Sequence, residues 1–376
     1  MQQNSDQVSA PKSAAPSSDS AASSATPGGS STAGEARVGV GRTHGKTILL
    51  GEHAVLYGAP AFALPIPELA VVATATAHDE DWLDSSVYAG PLRSAPDELA
   101  PIVAGLDSAR RAAGAPEATL RIRIESGIPV ARGLGSSAAS AGAVIDAVAD
   151  ALGATFDAQT RFDLVQGSER IAHGSASGLD ARTTVSSAPI WLENGEAIPA
   201  AVGAELRFVI ADTGVASGTR GAVAGVRARH DADPAAVDAA VRRIAERTRA
   251  GRIHLAEGDA ATLGSDMDAV HSELRELGVS GPELETLATA ARAAGALGAK
   301  LTGGGRGGCL LALAADADGA ARIAGALRGA GAASTWTVRL PPTPAGPADA
   351  PPASTAADTS TSTSTSTSTS TREDRT

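Results

Sequence analysis

Pro129-Val-Ala-Arg-Gly-Leu-Gly-Ser-Ser-Ala-Ala-Ser140 is the stretch on which the fold of this chain turns. It follows a segment with the alternation of a strand, Leu120, Ile122 and Ile124 against Arg121 and Arg123. It opens an amphipathic helix whose apolar face carries Ala141, Val144, Ile145, Val148 and Leu152. Gly133 and Gly135 let backbone approach a ligand closely, and Ser136 and Ser137 place hydroxyls at the helix start. A helix N-terminus carries about half a positive charge and presents free N–H groups, so the segment is built to meet an anion. An ordinary capped helix after a glycine turn satisfies the same spacing. Two other phosphate motifs do not. No Gly-Lys-Ser/Thr follows, which excludes a Walker loop. The partial match to Gly-x-Gly-x-x-Ala is separated from its strand by Ser126 to Arg132, too far for the tight turn of a dinucleotide site.

Two further loops are unusual in the same way. In Gly41-Arg-Thr-His-Gly-Lys-Thr-Ile-Leu-Leu-Gly-Glu-His-Ala-Val-Leu-Tyr-Gly58, three polar residues, Lys46, Glu52 and His53, sit among aliphatic ones. A hairpin with exposed charges would hold one of them cheaply; holding all three points to a pocket. In Lys300-Leu-Thr-Gly-Gly-Gly-Arg-Gly-Gly-Cys-Leu-Leu311, glycines leave little side chain to pack, so backbone must touch either a ligand or nothing. A fourth signal is Glu169. Phe162, Val165, Glu169 and Ala172 share one helical face, which puts a carboxylate among apolar groups. Burial of that kind costs several kcal/mol unless the acid is paired or metal-bound. A salt bridge to Arg182 is one solution. The other is a site in which Glu169 and Asp180, after the polar turn His173-Gly-Ser-Ala-Ser-Gly-Leu-Asp180, serve phosphoryl transfer with Mg²⁺.

Outward from these loops, strands are expected at Leu69 to Thr76 after Pro65 and Pro67, at Arg207 to Ala211, at Cys309 to Ala314 and over about 334–340. Helices are expected over about 234–250, 254–277, 283–295 and 317–330, and the helix carrying Glu169 is expected to end at Ala172. Strands first, then a helical block, then a closing helix and strand make an α+β fold. No internal repeat is visible.

The ends differ from this core. Residues 1–36 and 341–376 are rich in Ser, Ala, Pro and Thr and almost free of large apolar groups, so both are expected to be disordered. A net charge of −11 argues against nucleic acid and against a basic membrane-surface patch. Neither a signal peptide nor a membrane span is read in the sequence, and Cys309, the only cysteine, fits a cytoplasmic protein. Cys309 reads as a packed core thiol, His173 as a turn residue, and His254 with Glu257 as too few ligands for a metal.

Taken together, the three loops resemble the motifs of the GHMP kinases, in order and over about residues 37–340. Lys46 through Gly58 is most similar to the mevalonate kinases of that family, as are Glu169-Arg-Ile-Ala-His-Gly-Ser-Ala-Ser-Gly-Leu-Asp180 and Asp212-Thr-Gly to Thr219-Arg-Gly-Ala-Val. The resemblance implies an N-terminal nucleotide-binding lobe over 37–200, like domain 2 of ribosomal protein S5, and a ferredoxin-like α/β lobe over 201–340, with the active site between them. It implies an ATP- and Mg²⁺-dependent kinase of a small molecule, mevalonate, compatible with a homodimer. By the same resemblance Asp180 accepts the substrate's hydroxyl proton, and Lys46 beside it stabilises charge in the transition state. Ser137 and Glu169 would hold Mg²⁺. Glu52, His53 and Thr219 would line the acceptor pocket. Ala131, Arg132, Gly133, Leu134, Gly135, Ser136 and Ser137 would wrap the ATP phosphates, with Gly303, Gly304 and Gly305 supporting from the other side. Arg132, Arg306 and Leu179 depart from the family pattern; Arg132 is expected to meet ATP or to point to solvent. A sister kinase for phosphomevalonate, homoserine or a sugar, and a silent binding protein of the same fold, are the other readings.

Overall fold

β1 (Gly39–Leu50) and β2 (Ala61–Ala77) form a long antiparallel pair from which the rest of the first sheet is hung. The computed structural model describes residues 37–174 and 177–343; the tail over 1–36 and nearly all of that over 341–376 lie outside the described residues, as does the side chain of His173. Along the β2 edge that β1 leaves open, β5 (Leu120–Ser126) pairs at one end and carries β3 (Trp82–Asp84) and β4 (Ala89–Pro91), while β6 (Ile190–Glu193) pairs at the other and carries β7 (Glu196–Pro199). The order is β4-β3-β5-β2-β6-β7, with β1 on β2.

The expected strand at 69–76 therefore starts eight residues earlier and runs through both prolines. Its pairing explains this. β5 meets Val71–Ala77 and β6 meets Ala61–Ala63, so the stretch between them has no partner on that edge, and the pairing with β1 jumps from Ala70 to Ile66. Residues lacking an N–H are tolerated where no ladder bond is due.

Helices α1 (Ala100–Ala112), α2 (Ser136–Ala151) and α3 (Ala158–His173) pack together beside this sheet, followed by the short α4 (Leu179–Thr183). α2 lies directly on β1. A Cβ at Gly41 would stand 1.9 Å from the Ala143 carbonyl oxygen, and one at Gly39 would stand 2.1 Å from that of Ala147. Those two glycines set the distance at which helix and strand meet.

The second sheet is antiparallel throughout: β8 (Leu206–Asp212), β9 (Gly298–Thr302), β10 (Cys309–Ala314) and β11 (Ser334–Leu340) run in the order β11-β8-β10-β9. It is accompanied by α5 (Thr219–Ala232), α6 (Pro234–Glu257), α7 (Ala260–Glu276), α8 (Pro282–Ala293) and α9 (Ala317–Gly329). β10 and β11 have the limits expected from sequence. α6 does not stop near residue 250. Gly251 lies inside it, where a Cβ would meet Leu50 Cδ1 at 2.3 Å, so this glycine is a packing contact and not a break. The break comes at Gly258, in left-handed conformation, and Asp259, whose side chain caps α7. Thr343, counted with the C-terminal tail in the sequence, exchanges hydrogen bonds with Val202.

With few aromatics available, the core is Ala, Leu, Val and Ile packed at short range, with the Cys309 thiol buried among them and pushed up in pKa by that burial. Trp191 is buried edge-on to Phe62, while Trp82 and Trp336 are half-buried. Between the sheets, Thr302 Oγ1 on β9 bonds Thr47 Oγ1, accepts from Ile48 N–H and donates to Ile48 O, all on β1. Beside these bonds the fully buried Lys300 ammonium contacts the Glu52 carboxylate and donates to Leu301 O at 2.7 Å. No helix among the described residues is long and apolar enough to cross a membrane.

Candidate active site

Three helix N-termini converge on one cavity of about 480 Å³. Ser136 and Ser137 open α2, Asp180 lies in the first turn of α4, and Thr219 opens α5; all four line the cavity. The residues before these helices are Gly135, Gly178 and Gly218, which have no side chain with which to cap them. The first-turn N–H groups of α2 and α5 and the positive ends of these two longer dipoles therefore remain for a ligand, while in α4 the Leu179 N–H donates to Ser177 Oγ at 3.4 Å. Asp180 carries the acid among them.

Lys46 is the cation at the centre. It projects from β1 with 4 % of its side chain exposed, and its Nζ lies 3.0 Å from Asp180 Oδ1. Its position is fixed from both sides. Its N–H donates to Leu134 O at 3.0 Å, which ties β1 to the loop before α2. Gly135, at φ 74°, leaves room for its stem: a Cβ there would stand 2.8 Å from Lys46 Cγ. Asp180 is 34 % exposed and opens onto the cavity.

Glu169 reaches the same place from α3. It is 3 % exposed, and Ser137 hydrogen-bonds its carboxylate. Burial first, then the neighbouring Asp180 charge, lifts its pKa to about 7; the Ser137 bond and the Lys46 charge pull the other way. Arg182 does not neutralise it: that guanidinium stacks on the Phe162 ring at 4.0 Å from the ring centre.

His53 and Glu52 form the opposite wall. His53 holds a left-handed backbone, φ 58°, and donates from Nε2 to Gly304 O at 3.1 Å. Burial lowers its pKa to about 4, so the ring is neutral. Its Nδ1 and the Glu52 Oε2 are buried with no hydrogen-bond partner among the described residues. The rest of Glu52 is taken by Lys300, a partner that sequence reading did not assign.

The two glycine loops meet backbone to backbone. A Cβ at Gly303 would lie 3.0 Å from Gly133 Cα, and one at Gly304 would lie 2.5 Å from Thr219 Oγ1. Gly303 and Gly304 line the cavity; Gly305 instead turns against Val279, where Arg306 N–H also bonds. Within residues 131–137 the division is similar. Ala131, Gly133, Gly135, Ser136 and Ser137 line the cavity, whereas the Leu134 side chain is buried in the core. Arg132 is not part of that lining, and its side chain is 19 % exposed. Its Nε sits 2.8 Å from Asp212 Oδ1 and 2.9 Å from Oδ2, and its Nη2 donates to Gly214 O at 3.2 Å. A buried carboxylate at the end of β8 captures the guanidinium before solvent can.

The part of the cavity wall that sequence reading missed is the rest of α5: Arg220, Val223, Ala224 and Arg227 continue from the expected Thr219 as one stripe of that helix along the cavity. The i, i+1, i+4, i+5, i+8 spacing was visible in the sequence, but the helix itself was not assigned. Arg220 is held by the Ala172 carbonyl at 2.9 Å. Among the described residues no cluster of three or more His, Cys, Asp or Glu is arranged to hold a metal.

Comparison with known proteins places this geometry. The models of the GHMP kinases N terminal domain and the GHMP kinases C terminal match residues 102–187 and 253–333. A mevalonate kinase of Aeropyrum pernix is 35 % identical over 282 residues, 72 % of this chain and 86 % of that protein. One of Pyrococcus furiosus is 32 % identical over 295 residues, 72 % and 87 % of the two chains. Among solved structures, mevalonate kinase from methicillin-resistant Staphylococcus aureus superposes with a TM-score of 0.62 at 32 % identity, covering 80 % of this chain and 98 % of that one. The L. major enzyme in complex with R-mevalonate gives a TM-score of 0.70 at 25 % identity, covering 82 % and 97 %.

Proposed function

The chain belongs to the GHMP kinases, and we propose that within that family it is a mevalonate kinase, transferring the γ-phosphoryl group of ATP to the C5 hydroxyl of (R)-mevalonate. The observation that carries this reading is the Lys46–Asp180 pair at 3.0 Å, on the wall of a cavity where the helix starts at Ser136 and Thr219 meet. In this reading residues 37–200 form the nucleotide-binding lobe and 201–340 the second lobe, in a cytoplasmic protein.

The chemistry follows from the placement. The N–H groups at the start of α2, with Gly133 and Gly135 giving close access, hold the ATP phosphates. Asp180 accepts the proton of the C5 hydroxyl as its oxygen bonds to the γ-phosphorus and the bond to the ADP oxygen breaks. A carboxylate is a weak base for an alcohol, but the phosphoryl transition state is loose and the proton leaves late. Lys46 stabilises the negative charge on the transferring oxygens, in a place already organised for it. Arg220 and Arg227 give the α5 wall the cations that a substrate carboxylate needs. Glu52 Oε2 and His53 Nδ1, two acceptors with no hydrogen-bond partner among the described residues, suit the hydrogen of a second hydroxyl.

The donor set also fits Mg²⁺. Ser137 and Glu169 offer a hydroxyl and a carboxylate, hard oxygens of the kind this ion takes alongside substrate phosphates. A buried acid lifted to about pKa 7 beside a second acid is what a divalent cation would relieve. When bound, the ion would neutralise developing charge on the phosphates. Nothing else in the reading depends on it.

ADP release measured with mevalonate, phosphomevalonate, homoserine and galactose tests the assignment. Turnover with mevalonate alone is expected. Turnover with another acceptor in its place moves the protein to a sister activity, and turnover with none sinks the kinase reading.

A further inference from the structure

Arg132 is an arginine in a loop that approaches phosphates, yet its guanidinium points away from the cavity. We propose that it is a positioning residue: its ion pair with Asp212 clamps the phosphate loop of the first sheet to the β8–α5 segment of the second, and thereby sets nucleotide affinity. The inference rests on the nucleotide-binding role proposed above.

Four observations converge on this joint. Arg132 holds Asp212 through Nε and the Gly214 carbonyl through Nη2, so one planar side chain spans the turn that follows β8. Asp212 is 8 % exposed, and its Oδ1 also accepts from Gly214 N–H at 2.8 Å, which pins the acid independently of the arginine. One residue before Arg132, Ala131 takes a left-handed backbone, φ 56°, and its carbonyl accepts from Ser217 N–H at 2.7 Å. One element further, a Cβ on Gly308 would lie 2.9 Å from the Arg132 carbonyl oxygen. Loop, β8 turn and glycine loop thus touch at Arg132.

The consequence concerns which groups are held. Ala131 and Gly133 flank Arg132 and line the cavity, and Ser217 and Thr219 end the segment that Asp212 begins and line it too. A non-glycine residue at positive φ is strained and persists only while its surroundings over-determine it. Without the clamp, Ala131 relaxes toward its ordinary conformation and takes the neighbouring N–H groups with it. An arginine fork suits this task better than a lysine, because two contacts in different directions fix an orientation that a point charge does not.

The test is nucleotide affinity, read by calorimetric titration of the full chain with ADP and, separately, as KM for ATP. Arg132→Ala and Asp212→Asn are each expected to weaken ADP binding roughly tenfold, the size of one charge-assisted hydrogen bond to a buried partner. The double variant is expected to be no worse than the weaker single one, and KM for ATP is expected to rise more than KM for the acceptor. Arg132→Lys is expected to recover only part of the loss. Asp212→Asn keeps the turn cap, since its amide oxygen can accept from Gly214, so a lower melting temperature alone cannot mimic the pattern. Wild-type ADP affinity in both single variants would overturn the clamp while leaving the kinase reading intact, and so would strictly additive losses. Failure of the wild-type protein to bind ADP would overturn the kinase reading and the clamp together.

Discussion

Gly135→Ala puts a methyl group where the Lys46 stem now passes, and its effect can be worked from the coordinates. The new Cβ would stand 2.8 Å from Lys46 Cγ and 3.1 Å from Cε. Ordinary carbon–carbon contact is roughly 3.5–4.0 Å, so the lysine must move by about 1 Å. It is buried, with Leu134 O fixing its backbone, so the movement falls on the ammonium that faces Asp180. A displacement of about 1 Å in a reacting constellation can cost on the order of a hundredfold in rate. The backbone contributes separately: alanine at φ 74° costs about 1 kcal/mol, which for a chain of this size lowers Tm by about 1.5 °C. Steady-state ADP release at saturating ATP and mevalonate, with a thermal melt alongside, should therefore show kcat down roughly a hundredfold in a protein that is still folded. If the loss comes through Lys46, combining Gly135→Ala with Lys46→Met should be no worse than Lys46→Met alone. A kcat within threefold of wild type, or losses that multiply in the double variant, would refute the assignment of the ammonium.

Three other outcomes are expected. Asp180→Asn should abolish turnover yet keep ADP affinity within a few-fold, since Asp180 is placed at the acceptor end; substantial turnover would remove it as the proton acceptor. Glu169 is stabilised by folding in its protonated form, because burial and Asp180 raise its pKa from 4.5 to about 7. Its contribution is present below about pH 4.5 and is lost as pH rises through about 7, so without divalent cation wild type should lose about 3 kcal/mol against Glu169→Gln between pH 4.5 and 7.5 in urea titrations. Parallel pH profiles for the two proteins would contradict that placement. Lys300→Met leaves Glu52 buried without its cation and should cost about 3–5 kcal/mol in the same urea titrations, and adding Glu52→Gln should recover part of it. No recovery would mean that packing, not charge, makes Lys300 necessary.

The parts of this protein that could be read in its sequence are those where local pattern and final role coincide. The strand from Cys309 was legible because its apolar run sits between loop signals and ends where the burial ends, and the strand to Leu340 because Trp336, Val338 and Leu340 alternate with polar residues. Glu169 was legible because a charge on an apolar helical face has few explanations. What stayed hidden was set by contacts distant in the chain. Gly251 reads as a helix break until Leu50 is placed against it, and Pro65 and Pro67 read as a strand boundary until the unpaired edge of β2 is known. Arg132 could not be placed at all, since its partner Asp212 lies 80 residues away. The pairing of Lys300 with Glu52 was hidden for the same reason. Beyond Thr219 the α5 wall was missed because Arg220 and Arg227 follow a turn carrying Gly214 and Gly218 whose direction no local rule supplies.

The contact of Gly133 with Gly303 bears on how such a protein can diverge. Where two loops meet through bare backbone, the width of the crevice at that point is not open to side-chain variation. A Cβ on either residue would push the joint apart before it touched a ligand. New acceptors must instead be accommodated from the walls, at Val55, Leu56, Val223 and Ala224, whose side chains face the same cavity from elements free to change size. In the proposed reading the glycines fix the place of the transferred group, and α5 with the turn after β1 is where a different acceptor could be selected.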